Sequence, residues 1–150
     1  MRYIEALETW GGELHANEDF SLFLGGGISN CSPWQDYVVQ QLADTDIVVL
    51  NPRRKNFPMD DPQESEKQIQ WEFDHLELAD SILFWFCAET LCPITLFEYG
   101  KWITSDKRLF VGCDPAYARL SDVKIQTQLE SPWQHVHTCL DDLIAEVKSY

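Results

Sequence analysis

Two carboxylates fall where helical periodicity places apolar side chains, and that position makes them candidates for chemistry. At about 100° per residue, Glu98 lies between Ile94 and Trp102 on a helix opened by Pro93. Glu72 lies in a stripe with Ile69, Phe73, Leu76 and Ala79. An acidic side chain on such a face needs a reason. One reason is structural: each carboxylate is tied to Arg, Lys or backbone N–H groups. The other is a pair with divided labour. Burial raises a carboxylate's pKa and cations or amide donors lower it, so one member stays ionised while the other carries a proton. An ionised carboxylate can attack the anomeric carbon of a sugar while its partner assists the leaving group.

Three further groups could serve such a site. Gly25-Gly26-Gly27 ends an apolar run and lets backbone approach a ligand, or simply turns sharply; it matches neither the dinucleotide fingerprint nor a P-loop. Asn51-Pro52-Arg53-Arg54-Lys55 gathers three of the chain's 11 Lys and Arg directly after a strand. It is either a solvated loop or an anion site, since Arg forks match phosphate or carboxylate oxygens. His75 stands three residues after Glu72 and is expected to hydrogen-bond it as a structural histidine.

The elements that must position these groups alternate. Ser81 to Phe86 is a continuous apolar run and reads as a strand buried on both faces. Phe20 to Leu24, Asp46 to Leu50 and Arg108 to Cys113 read likewise, His135 to Thr138 is a short fifth strand, and Tyr3 to Leu7 is at most a short edge strand. Ser32-Pro33 opens a helix bearing Trp34, Tyr37, Val38, Gln41 and Leu42 at helical spacing. Asp61-Pro62 opens another that runs to about Ala79, after a polar loop from Asn56 to Gln63 that could act as a lid. Arg119 to Leu129 reads as a helix, and Leu140, Leu143, Ile144 and Val147 define an amphipathic helix at the end. Strands alternating with helices imply right-handed βαβ units. The expected fold is therefore a doubly wound α/β domain over residues 1–150, with a parallel sheet of about five strands. Ligands in such sheets bind at the carboxyl ends of the strands, where the strand order reverses.

Composition excludes several classes. A net charge of −14 argues against a nucleic-acid polymer as partner, which needs a broad basic surface. No apolar run approaches the roughly 20 residues of a membrane span, and Met1 to Glu5 is no signal peptide, so a cytoplasmic protein is expected. The five cysteines, Cys31, Cys87, Cys92, Cys113 and Cys139, show no CxxC pair and read as reduced core thiols rather than a metal cluster. Neither a metal nor an organic cofactor is called for.

Phe23-Leu24-Gly25-Gly26-Gly27-Ile28, Asn51-Pro52-Arg53-Arg54, Trp71-Glu72 with Leu76 and Ala79-Asp80, and Phe97-Glu98-Tyr99-Gly100 resemble the nucleoside 2-deoxyribosyltransferase family, most of all its transferase-like branch. The resemblance runs from about Ser21 to Gln128. It implies a flavodoxin-like, three-layer Rossmann-like fold and a double displacement in which Glu98 attacks the anomeric carbon and expels the nucleobase. It also implies that Glu72 contacts base or sugar, and that a nucleoside or nucleotide binds among Phe23, Gly25, Gly26, Gly27, Asn51, Arg53, Arg54, Trp71 and Cys92. A homo-oligomer is implied as well, because family sites are often completed by a neighbouring subunit.

Two positions depart from the family pattern. Cys92 replaces a sugar-binding Asp, and Phe23 replaces a Tyr whose hydroxyl orients the nucleophile. Three functions follow: base exchange through a glycosyl-enzyme, hydrolysis of the N-glycosidic bond at the same site, or a nucleotide-sensing module that kept the pocket without turnover. Arg53 and Arg54 favour a phosphorylated substrate.

Overall fold

The computed structural model describes residues 1–56 and 62–150. Residues 57–61, which include most of the expected lid loop and the expected helix cap at Asp61, lie outside the described residues. Six strands and five helices alternate among those described. They are β1 (Arg2–Glu5), β2 (Ser21–Gly26), α1 (Trp34–Gln41), β3 (Val48–Asn51), α2 (Pro62–Leu78), β4 (Ser81–Phe86), α3 (Pro93–Trp102), β5 (Arg108–Cys113), α4 (Leu120–Glu130), β6 (Val136–His137) and α5 (Leu140–Ser149). All neighbouring strands are parallel, in the order β1-β3-β2-β4-β5-β6. This is the doubly wound, flavodoxin-like fold. The sheet has one strand more than expected: β1 pairs with β3 from Arg2 opposite Val48 to Glu5 opposite Asn51. All four of its residues are half-buried, so no inside-outside alternation marked it in the sequence.

The winding direction reverses once. From β2 the chain passes through α1 to β3 on one side, then returns through α2 to β4 on the other. Right-handed crossovers put α1 on one face and α2, α3 and α4 on the opposite face, and α5, after the last strand, lies beside α1. Side-chain contacts agree. Tyr37 Oη on α1 donates to Asp141 on α5 at 2.7 Å, Lys101 on α3 pairs with Glu77 on α2, and Tyr99 on α3 meets Thr127 on α4 at 2.6 Å. Between these layers β4 is buried along its whole length. Tyr99 lies edge-on to Phe84 and Phe86, at centroid distances of 5.2 and 5.6 Å.

The buried helix faces differ from the expected ones. On α2 the inward residues are Gln68, Trp71, His75, Leu76 and Ala79, while Ile69 and Phe73 are 65% and 54% exposed. The bulkier Trp71 takes the inward place against Phe23, and the polar residues beside it find backbone acceptors at Pro52 and Trp71. His75 therefore uses Nδ1 on the Trp71 carbonyl at 2.7 Å, not on Glu72. On α3, Thr95, Tyr99 and Trp102 are buried, whereas Ile94 and Phe97 are 63% and 78% exposed. On α1, Gln35 rather than Tyr37 faces inward.

The β2 terminus has room for no side chain at Gly26. A Cβ there would stand 2.4 Å from Trp34 Cζ2 and 2.6 Å from the Trp85 carbonyl oxygen. The second neighbour is sheet backbone and cannot yield cheaply. Gly26→Ala is expected to destabilise the fold by about 2–3 kcal/mol, the usual cost of overpacking a filled core. Urea unfolding that shows no change in midpoint would contradict this packing.

Candidate active site

A cavity of about 580 Å3 opens at the carboxyl ends of β2 and β4, where the strand order reverses. Its floor is the end of β2, Phe23 and Gly25 to Gly27, continued by Ile28, Ser29 and Asn30. One wall is α2 with Ser65, Gln68, Ile69 and Glu72, together with Pro52. The other is the β4–α3 connection and α3, with Thr90, Cys92, Pro93, Ile94, Thr95 and Glu98. Gly27 is fixed by packing: its carbonyl accepts from Trp34 Nε1 at 2.9 Å and Gln35 Nε2 at 3.0 Å. A Cβ on it would meet Cys87 Sγ at 2.7 Å.

The two carboxylates face this cavity from adjacent helices, and their surroundings differ. Gln68, one turn before Glu72 on α2, donates through Nε2 to Glu72 Oε1 and to the Pro52 carbonyl, both at 2.7 Å. Burial raises the Glu72 carboxyl above its ordinary range, and the Gln68 donor offsets part of that rise. Glu98 has no such donor among the described residues. Its burial and the nearby charge of Glu72 push it to about 8, with Lys101 opposing weakly. Lys101 is itself paired with Glu77 and lies over the Phe73 and Trp102 rings. Both carboxyls are thus pushed up, Glu98 to about 8, and an amide donor opposes the rise at Glu72 alone.

Of the residues singled out in the sequence, the structure brings Phe23, Gly25, Gly26, Gly27, Glu72, Cys92 and Glu98 to this cavity. Four others stand outside its wall. Asn51 Nδ2 donates to Tyr3 Oη at 3.0 Å and its Oδ1 accepts from Arg53 N at 2.9 Å, which ties β1 to the exit of β3. The Arg53 guanidinium clamps the loop after β2, donating to Ser32 O at 2.9 Å, Gln35 Oε1 at 3.1 Å and Cys31 O at 3.2 Å. Arg54 is paired with Glu64 at 2.9 Å. Trp71 donates through Nε1 to Glu8 O at 3.0 Å and stacks on His75 at 3.9 Å. No Lys or Arg lines the cavity among the described residues.

Gln68 and Thr95 escaped the sequence reading. Each had a signal: Gln68 is four residues before Glu72 and Thr95 three before Glu98, so each shares a helix face with its carboxylate. A cavity lined by carboxylates at the reversal point of a doubly wound parallel sheet marks a small-molecule site of an α/β domain. The sequence profile of the family described as nucleoside 2-deoxyribosyltransferase like matches residues 19–117, more than half of the chain, and the protein belongs to that family. No curated protein matches the chain.

The raised Glu98 pKa has a consequence for stability. An acid whose folded pKa lies above its unfolded value binds more protons in the native state, so its contribution is full at low pH and is lost as pH rises. Stability is expected to fall between about pH 4.5 and about pH 8, and Glu98→Gln to flatten that fall. Chemical unfolding of both proteins across this range checks it; parallel profiles would show that Glu98 titrates normally.

Proposed function

We propose that this protein exchanges nucleobases on a (deoxy)ribosyl group, with Glu98 as nucleophile and Glu72 as its proton partner. The observation that carries the reading is a pair of carboxylates, Glu72 and Glu98, lining one cavity at the strand ends, with no Lys or Arg in its lining among the described residues. Displacement of a base by a carboxylate needs one proton for the departing base, and the pair holds one. As the C1′–N bond breaks, the Glu98 proton passes through Glu72 to the base nitrogen, and the carboxylate so formed attacks C1′ from the face opposite the base. Glu98 then forms the ester bond to C1′. The reverse step with a second base regenerates the protonated carboxyl, so the site returns to its starting charge. Gln68 orients Glu72, and the glycine floor lets the sugar approach the sheet.

The substrate on this reading is a neutral nucleoside. A phosphate would meet two carboxylates, while Arg53 and Arg54 are engaged in holding loops. A second copy of the chain covers the exposed rim formed by Ile69, Phe73, Ile94 and Phe97. Replacement of Phe97 by Asp is then expected to lower the mass seen in analytical ultracentrifugation, and an unchanged mass would remove that interface.

Base release is followed by chromatography for a panel of deoxynucleosides, ribonucleosides and their 5′-phosphates, with and without a second free base. Acceptor-dependent release from unphosphorylated substrates is expected. Glu98→Gln should reduce it by at least about 10³-fold, since it removes the nucleophile. The rate should also fall as pH rises through about 8, where Glu98 loses the proton that the departing base needs. Release without acceptor would identify a hydrolase. Ligand binding without release would identify a sensor, a reading that the Cys92 and Phe23 side chains favour because each lacks the polar group of the family pattern.

A further inference from the structure

The cavity floor carries sulfur chemistry that glycosyl transfer leaves unused. Cys87, directly after β4, and Cys92, directly before α3, place their sulfurs 3.7 Å apart in the protein interior. Both converge on the glycine turn, since a Cβ on Gly27 would lie 2.7 Å from Cys87 Sγ and 3.2 Å from Cys92 Sγ. Cys92 also forms part of the cavity wall, so a small reagent that enters the cavity reaches it. Its backbone occupies the left-handed region, φ 45° and ψ 53°, which a residue bearing a Cβ disfavours.

The two thiols are not equivalent. The two sulfurs share a hydrogen bond in which either thiol can donate, and Cys92 also donates to the Thr90 carbonyl at 3.5 Å. The contact with Cys87 and backbone hydrogen bonds at Cys87 and Gly27 hold Cys92 below the ordinary thiol range against the effect of burial. The same thiol–thiol hydrogen bond, with burial, pushes Cys87 up. One thiol disposed to ionise beside a second that keeps its proton is the arrangement that dithiol oxidation requires. Oxidation of paired thiols in otherwise reduced proteins is characteristically transient and regulatory.

We propose that Cys92 and Cys87 are a peroxide-reactive dithiol, Cys92 attacking and Cys87 resolving, whose disulfide closes the glycine floor of the cavity. The Cys92 thiolate attacks one oxygen of hydrogen peroxide, the O–O bond breaks, and hydroxide leaves and takes up a proton as water. Cys92 is then a sulfenic acid. The Cys87 sulfur attacks the Cys92 sulfur, the S–O bond breaks, and the hydroxide leaves as water with the Cys87 proton. Two thiols lose two electrons and two protons, and one peroxide becomes two waters. The sulfurs must close from 3.7 Å to the about 2 Å of an S–S bond. That closure moves the residue from which α3 and Glu98 extend, so the bond acts on the cavity. Oxidation of the two sulfurs is read directly and does not require glycosyl transfer.

The test uses the reduced protein, hydrogen peroxide, alkylation of the remaining thiols and peptide mass analysis. Cleavage after Lys67 and Lys101 leaves Cys87 and Cys92 on one peptide, with Cys31 and Cys139 on others. That peptide is expected to lose two hydrogens and both alkylation sites together, at least about tenfold faster than the exposed Cys139 is oxidised, and to recover with dithiothreitol. Cys87→Ser should leave a Cys92 sulfenic acid that dimedone captures. Faster oxidation of Cys139 would overturn the proposal. So would a bond from Cys87 to Cys31, whose thiol also reaches Cys87.

Discussion

The parallel pairing of β2 with β4 is the constraint on which the rest of the molecule depends. It sets Leu22 opposite Ser81 and carries the register on to Gly26 opposite Trp85, so both strands end together at the point where the winding reverses. Crossovers diverge from that point, and the space between them is the cavity. The aromatic side chains of β4 and α1 occupy the volume that larger residues at the end of β2 would need, with Phe84 against Gly25 and Trp34 against Gly26. Packing on the sheet thus produces both the absence of side chains on the floor and the opening above it.

The same arrangement brings two acids together without a cation between them. Burial pushes both carboxyls up, and the charge of Glu72 adds to the rise at Glu98. Gln68 decides which acid is favoured as the anion, because its amide donates to Glu72 and no donor reaches Glu98 among the described residues.

Much of the fold was legible in the chain. The buried runs that became β2, β4 and β5, and the Pro-initiated α3, stand out because fully buried strands and proline-led helices have local signatures. The inward faces of α2 and α3 were less legible. Trp71 and Gln68 turn inward on α2, displacing Ile69 and Phe73 to the rim, because volume and hydrogen-bond partners outweighed simple apolar count. The contacts of the basic stretch were not legible for a related reason: Arg53 reaches carbonyl acceptors and Gln35 across the β2–α1 loop, on residues about twenty positions away.

By itself the sequence determined the alternation of strands and helices, the family, and the two glutamates, because each of these rests on residue type and short spacing. Only the tertiary structure decided which polar residues meet. It turned Asn51, Arg53 and Trp71 to tying loops and strands, added Gln68 to the carboxylate pair, and set Cys87 beside Cys92 beneath the glycine turn. Those outcomes depend on the relative placement of helices across the β2–β4 junction, and placement is settled by packing rather than by any local pattern.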